Sequence, residues 1–494
     1  MYLKNIHKVY LSKSLVMKGL QCHKALYLHK FHPELRDEVS ESQEALFQSG
    51  REVGTYARQI FPGGFEVPYQ DLSLEKQLNL TKEEIKGGAR ILYEPAFSYD
   101  NVFVKTDILR KARQGWELYE VKGSTKLEPR YLNDVAVQYY VLKGAGIRIS
   151  KASVVYINNQ YVRNGDIDPS ALFVIDDVTK AVRDKQRFVA DEITKMRKAL
   201  RKGVPAIDIG EYCKDPYYCD FCGHCWQHIP EYSVFNLDGR GRVKPFDLYR
   251  QGIVDLRDAP KEILSKKQNI QLESFLQKKK YVNKGGLKQF LDSLWYPLYF
   301  LDFETFSCAI PAFSGTRPYQ NVPHQYSLHY LKRKGARLGH HAFLAEPNID
   351  PREELAGNLA SEIPDNACVL AYHASFEIGV LKDLAAWLPR YRKKLQRIVE
   401  NVRDLEVPFK KKDVYHWKMK GSSSQKYVLP ALVPQLSYDE MEISNGGMAV
   451  QAYFRTCESQ DQSEIQAIRK ALLDYCKLDT LGMVRILERL REMS

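Results

Sequence analysis

Tyr299-Phe300-Leu301-Asp302-Phe303-Glu304-Thr305-Phe306 is an apolar run that reads as a buried strand, broken by two carboxylates at i and i+2. Alternate side chains of a strand leave opposite faces, so Asp302 and Glu304 share one. Two acids held so close repel each other, and a hard divalent cation such as Mg2+, which takes carboxylate oxygens, relieves the repulsion. A strand end with two solvated acids has the same letters, so only the rest of the chain distinguishes the two.

Downstream, Ala371-Tyr372-His373-Ala374-Ser375-Phe376-Glu377 follows the apolar Cys368-Val369-Leu370 and opens a helical pattern through Ile378, Val380 and Leu381. Glu377 is thus expected at a strand-to-helix junction. Near the C-terminus, Ile465, Ile468, Leu472, Tyr475 and Asp479 recur at helical spacing, which puts Tyr475 and Asp479 one turn apart on one face. An acid on an apolar helix face needs a partner, and a metal shared with Asp302 and Glu304 supplies one.

These residues resemble the DEDD superfamily of 3'-to-5' exonucleases, whose fold is ribonuclease-H-like: Asp-x-Glu on a strand, then an acid after an aromatic, then Tyr-x-x-x-Asp in the subclass with a catalytic tyrosine. The resemblance covers residues 295–494 and implies a Mg2+ or Mn2+ centre. Asp302, Glu304, Glu377 and Asp479 would be its ligands, and Tyr475 would orient or deprotonate the attacking water. Glu377 stands where the pattern usually carries aspartate.

At 494 residues the chain suggests two or three domains, and 44% hydrophobic residues suffice for real cores. A net charge of +12 favours a polyanionic partner, and 31 tyrosines add stacking surfaces. No signal peptide opens the sequence and no apolar run reaches membrane-spanning length, so a cytoplasmic protein without membrane association is expected. No Walker-type phosphate loop occurs, which argues against a built-in helicase motor.

In the N-terminal half, Ser14 reads as a helix cap ahead of a helix carrying Cys22, and 41–60 reads as a second helix. Strand patterns come next at Ile91-Leu92-Tyr93-Glu94, Val102 to Leu109, and Trp116-Glu117-Leu118-Tyr119-Glu120-Val121-Lys122. Alternation puts Glu120 and Lys122 on one face. Asp107 and Glu120 are the types that hold Mg2+, and Lys122 the type that steadies a nucleophile or phosphate charge. Exposed residues of a hairpin would read the same way. A helix over Tyr131–Val141 carries Gln138, a strand begins at Ala152, and a long amphipathic helix from about 177 to 202 leads to Cys213, Cys219, Cys222 and Cys225.

Acid, Glu-x-Lys and a helix with glutamine resemble the RecB-like branch of the PD-(D/E)XK nucleases. The resemblance is closest to the iron–sulfur members, AddB-like and CRISPR-associated exonucleases. It implies catalytic roles for Asp107, Glu120, Lys122 and Gln138, with Asp107 and Glu120 on metal and Glu94 a further candidate. It also implies a [4Fe-4S] cluster on Cys22, Cys213, Cys219 and Cys225, with Cys222 the alternate ligand. Four local cysteines binding Zn2+ without Cys22 remain the alternative. Gly50-Arg51-Glu52-Val53-Gly54 stands where the family carries a histidine, and Leu142 where it carries a tyrosine.

Residues 231–294 read as a connector, with a turn at Gly239-Arg240-Gly241-Arg242 and a loop at Lys284-Gly285-Gly286. In the C-terminal half, Gly421-Ser422-Ser423-Ser424-Gln425-Lys426 offers backbone donors, hydroxyls and an ammonium, so Ser422, Ser424 and Lys426 are candidate nucleic-acid contacts. The runs 392–394 and 410–412 could track a phosphate backbone, and Asp404 could support the acids. The expected fold class is α/β: a PD-(D/E)XK, restriction-endonuclease-like domain with its cluster over 1–230, and a ribonuclease-H-like DEDD domain over 295–494.

Together the halves resemble a bacterial family fusing a RecB-like iron–sulfur nuclease to a tyrosine-type DEDD exonuclease. The implied function is metal-dependent hydrolysis of phosphodiester bonds in DNA, single-stranded or from ends. The alternatives are a 3'-to-5' exoribonuclease and a nucleic-acid-binding scaffold with one or both centres inactive. DNA repair and phage defence stay equally open, as does a helicase or defence-system partner.

Overall fold

The computed structural model describes residues 10–38, 41–68, 72–239, 243–438 and 441–494. The chain is a mixed α/β protein of two compact units. Unit 1 comprises the described residues up to His228 together with Cys308–Gln320, and unit 2 comprises those of Ile229–Ser307 and Asn321–Ser494.

The strands of unit 1 are β1 (Leu11–Ser12), β2 (Phe65–Glu66), β3 (Ile91–Tyr93), β4 (Ala96–Tyr99), β5 (Val102–Lys105), β6 (Ile108–Ala112), β7 (Gly115–Lys122), β8 (Ile149–Ile157) and β9 (Phe173–Asp177). Six of them form one sheet in the order β2-β3-β6-β7-β8-β9, and β1-β5-β4 form a small second sheet. β6 and β7 are antiparallel, whereas β7 and β8 are parallel and joined through the helix Pro129–Gly144. That helix starts with proline at a position whose N–H would be unpaired anyway, and it buries Val135, Val137, Val141 and Leu142 completely. The same burial holds Gln138 and Glu120 inside the unit.

Several expected boundaries move. Ser12, not Ser14, caps the first helix, Lys13–Gln21, and extended backbone at Cys22 separates it from the helix His23–Phe31. The long helix expected over 177–202 is two helices, Thr179–Asp184 and Gln186–Arg201. The Lys185 N–H closes back on Ala181 and Arg183, tightening the turn between them.

Unit 2 contains β10 (Tyr281–Val282), β11 (Leu298–Phe306), β12 (Val322–Leu331), β13 (Gly339–Leu344), β14 (Cys368–Ala371), β15 (Val402–Asp404) and β16 (Val414–Tyr415). Its main sheet has the order β13-β12-β11-β14-β15, antiparallel on the β12 side of β11 and parallel on the β14 side. β11 is therefore central, which explains its apolar run: Leu298, Phe300 and Leu301 are fully buried. The pairing with β12 shifts between Glu304 and Thr305, ending the regular ladder beside the acids. The 32-residue helix Gln462–Met493 packs on β11 and β12.

Most of the expected connector packs within unit 2, where Val234, Leu248, Leu256 and Leu272 form a small core. The expected turn over 239–242 falls on 240–242, outside the described residues. Lys284-Gly285-Gly286 is not a loop but the first turn of the helix Lys284–Asp292. The Asn283 side chain caps the Gly286 N–H, and burial of Leu287 and Phe290 outweighs the cost of two glycines. Among the described residues no helix is long and apolar enough to cross a membrane.

Candidate functional site

In unit 2, β11 presents Asp302 and Glu304 on one face and the helix Gln462–Met493 brings Asp479 to them. One carboxylate oxygen from each of the three lies within 4.8 Å of the others. Glu377 enters from the first turn of the helix Ser375–Trp387, which succeeds β14 after His373 turns the chain with a positive φ of 63°. It is 2% exposed, and its Oε2 has no hydrogen-bond partner. A buried carboxylate oxygen without a partner is costly, and this one is a ready ligand.

The electrostatics agree. Burial, then the charges of Asp479, Glu304 and Glu377, hold the Asp302 carboxyl well above its ordinary range. Burial and Asp479 push Glu304 up to about 8, against the opposing pull of Lys426. Burial and neighbouring Asp404 push Glu377 to about 8. Asp479 rises only to about 6, because hydrogen bonds from Tyr438 and Tyr475 stabilise its charge. The Tyr475 phenol is driven up by burial and by the three acids, so in the metal-free centre it keeps its proton.

Two neighbours of this centre carry no mark in the sequence. The Tyr438 hydroxyl donates to Asp479 Oδ1 at 2.6 Å, and Gln425 Nε2 donates to the Tyr438 oxygen and to the Asp479 carbonyl. Cys476, whose sequence context suggests an ordinary buried thiol, has its Sγ 3.6 Å from Asp302 Oδ2. A hydrogen-bonding residue behind a metal ligand typically contributes about 10- to 100-fold in affinity. Tyr438→Phe is therefore expected to weaken Mn2+ binding by about that factor in calorimetry, and unchanged affinity would remove Tyr438 from the site. Asp404 accepts the His373 and Glu406 N–H groups, fixing the turn that aims Glu377.

The stretch Gly421–Lys426 divides. Ser422 and Ser423 line a polar cavity with Lys410, Lys412 and Lys420, whereas Ser424 precedes the helix Gln425–Leu432 without a side-chain capping bond and Lys426 lies in its first turn, where its charge reaches Glu304 and Asp479. Lys412 is buried and lowered to about 8, donating to the Gly421 carbonyl at 3.0 Å. In the 392–394 run, Lys394 is paired with Asp365.

In unit 1 the expected group also converges, with two additions. Lys122 Nζ lies 2.7 Å from Glu120 Oε1 and 2.5 Å from Asp134 Oδ2, and Lys13 Nζ lies 2.9 Å from Glu120 Oε1 and 3.2 Å from Asp134 Oδ1. Gln138 Nε2 donates to Glu120 Oε2 at 2.7 Å. Asp134 sits one turn before Gln138, a spacing that could have revealed it; nothing local marks Lys13. Burial and the neighbouring Asp107 and Asp134 charges raise Glu120 to about 7, while Lys13 and Lys122 hold Asp134 below its ordinary range. Asp107 Oδ2 accepts the Val121 N–H at 2.6 Å, and its carboxyl is raised by burial. Asp107 opens on a cavity shared with Glu94, Gly50, Gly54 and Arg58; Glu94 is paired with Arg58 at 3.2 Å. Among the described residues, no three carboxylates of unit 1 approach as those of unit 2 do.

All five cysteines, Cys22, Cys213, Cys219, Cys222 and Cys225, line one cavity in unit 1. Burial raises the Cys22, Cys222 and Cys225 thiols and takes Cys219 to about 12. Cys222 Sγ points to the Cys213 carbonyl at 3.6 Å. The two segments flanking this cavity are tied by Lys18 to Asp220 at 2.8 Å and by Gln21 Nε2 to the carbonyls of Tyr212 and Tyr217.

No curated protein matches this chain. Residues 299–424 match a family described as a domain of unknown function (DUF2779), a stretch that holds Asp302, Glu304 and Glu377 and stops short of Lys426, Tyr475 and Asp479.

Proposed function

We propose that unit 2 is a metal-dependent 3'-to-5' exonuclease of the DEDD type acting on DNA. The observation that carries the reading is the convergence of Asp302, Glu304 and Asp479 within 4.8 Å, with Glu377, whose Oε2 has no partner, close enough for its charge to act on Asp302 and Glu304, and Lys426 as the nearby cation. Acids packed this way without matching cations are unfavourable in the protein alone and favourable around a divalent ion. The donor set is all carboxylate oxygen, which suits Mg2+ or Mn2+. Such ions, when bound, activate water and offset the charge of a phosphodiester under attack. Tyr438 and Tyr475 hold Asp479, and Tyr475 is placed to orient or deprotonate the attacking water. The cavity beside Ser422 is lined by three lysines that each face an acid, Lys410 with Glu406, Lys412 with Asp238 and Lys420 with Glu231, so a polyanionic strand would compete with those acids for them.

The test is a time course on 5'-labelled single-stranded DNA and RNA with Mg2+ or Mn2+. A ladder of shortening products that needs the metal supports the reading, and the strand that is shortened names the substrate. No shortening of either strand would remove it.

For unit 1 we propose a RecB-like PD-(D/E)XK domain stapled by a [4Fe-4S] cluster on Cys22, Cys213, Cys219 and Cys225. The support is that Cys22, from the start of the unit, lines one cavity with the four later cysteines, as a cluster held by both segments requires. Cys222, whose Sγ meets the Cys213 carbonyl at 3.6 Å, lines the same cavity and is the alternate ligand. Cys213→Ser is accordingly expected to abolish the visible absorption and brown colour of anaerobically purified protein, and Cys222→Ser to retain both. Colourless wild-type protein containing zinc would reverse the assignment. A scaffold role for unit 1 is favoured by one observation, that both Glu120 oxygens are already engaged.

A further inference from the structure

We infer that Tyr217 and Tyr319, backed by Arg130 and Tyr131, form a base-stacking platform at the end of the Glu-x-Lys strand of unit 1, and that the partner it takes is single-stranded DNA. The inference rests on the reading of unit 1 as a nuclease-type domain and deepens it, by naming the surface on which that unit holds a strand.

Segments far apart in the sequence bring these tyrosines together. β7 ends at Lys122, and the Lys122 ammonium lies over the Tyr131 ring, 5.4 Å from its centroid. The Arg130 guanidinium lies over the same ring at 5.2 Å and over the Tyr217 ring at 4.5 Å, so a series of cation–ring contacts joins the strand end to the cysteine loop. Burial raises the Tyr217 phenol, and the charges of Arg130, Lys122 and Asp134 reach it. Tyr319 arrives from the stretch 308–320, and its hydroxyl donates to the carbonyl of Gly123, the residue after Lys122.

Tyr131 is 6% exposed and forms the floor, whereas Tyr217 is 51% exposed and Tyr319 39%. Among the described residues no ring stacks on either of them. Both are nevertheless held in place. Arg130 donates to the Pro216 carbonyl at 2.8 Å and Gln21 to the Tyr217 carbonyl at 2.6 Å, and Tyr319 sits at a φ of 57°, a conformation that is unfavourable for a residue with a Cβ. Aromatic faces fixed in advance and left in water are what unpaired bases stack on, and an arginine beside them adds a cation–π contribution. Charge alone does not select the partner, because Glu128 already pairs with Arg130 at 2.8 Å. Lys126, exposed in the loop between Lys122 and Arg130 and in no ion pair among the described residues, suits a backbone phosphate. A duplex keeps its bases stacked on one another and offers none to the rings.

The experiment irradiates the full wild-type protein with single-stranded DNA carrying 5-iodouracil, without divalent metal so that nothing is cut, and maps the adducts by mass spectrometry. Adducts on both Tyr217 and Tyr319 are expected; adducts confined to unit 2, or none, would overturn the inference. Half-maximal adduct formation at Tyr217 is expected to need about 10-fold more DNA in Tyr319→Ala, the scale of one lost base–aromatic stack, and no more than wild type in Tyr319→Phe. The same requirement in Tyr319→Ala as in wild type would overturn the shared platform. Duplex DNA that forms as much adduct as the single strand would overturn stacking, and adducts with iodouracil RNA but not DNA would overturn the choice of DNA. Should Tyr319→Ala not fold, the wild-type adduct map decides alone. Adducts in a protein whose cleavage is indifferent to Lys122→Ala would support the platform and remove only the nuclease reading of unit 1, whereas cleavage lost on Lys122→Ala without any adduct in unit 1 would remove the platform alone.

Discussion

Asp302→Ala is expected to cut metal-dependent 3' trimming at least about 100-fold, the scale on which losing one contact to a developing transition-state charge is felt. Asp302 is central because its carboxyl feels Asp479, Glu304 and Glu377 together. The same substitution is expected to leave the metal-free protein as stable as before or more so, because it removes a buried acid whose ionisation the folded unit opposes. Opposite signs for activity and metal-free stability separate a ligand from a structural residue. With both oxygens of Glu120 engaged, unit 1 is expected to leave no residual cleavage in Asp302→Ala. Any cleavage that persists and then disappears on adding Lys122→Ala would show that unit 1 cuts, and trimming undiminished in Asp302→Ala would remove this site as its source.

What the sequence disclosed were the local features. Asp302 and Glu304 emerge from a period of two, Tyr475 and Asp479 from a spacing of four, and Glu377 from the switch between those periods at a strand end. Gln138 and Asp134 share the same helical spacing, although only Gln138 stands out in a pattern of letters. Lys13 and Tyr438 were out of reach, because each joins its site through the fold from a segment whose pattern says nothing about acids. The stretch 308–320 was hidden for a similar reason. It lies in sequence between β11 and β12, yet Ala309 and Ile310 pack with Phe61, Tyr119 and Val155 of unit 1. Glycine misled at 285 and 286, where a capping asparagine and two buried apolar side chains outweigh propensity.

The metal-free protein is expected to lose stability as pH rises from 5 to 8, with divalent metal reversing the loss. In the folded unit 2, Glu304 and Glu377 lie at about 8, Asp479 at about 6 and Asp302 well above its ordinary 3.8. The folded state thus holds protons that the unfolded chain has already released. An acid raised in this way has its full stability below the unfolded carboxylate range and loses it as pH climbs to the folded value. Each unit of displacement corresponds to about 1.4 kcal/mol, so the acids together cost several kcal/mol on ionising, less whatever they share through their mutual repulsion. Glu120, raised to about 7, adds in the same direction, and Asp134 opposes it only below the ordinary aspartate range, outside the window; His324 and His329, lowered by burial to about 3, oppose it between pH 5 and about 6.5, and the raised acids outnumber them. Taking about 3 °C per kcal/mol for a unit of this size, a loss of about 3 kcal/mol lowers the midpoint by about 10 °C. Calorimetry in chelator at pH 5 and pH 8 reads the slope. Mn2+ is expected to raise the midpoint at pH 8 and to do little at pH 5, where protons already hold the acids, and Asp302→Asn is expected to flatten the slope. A slope that is the same in Asp302→Asn as in the wild-type protein would mean that the acids of unit 2 are not held as a metal-seeking group.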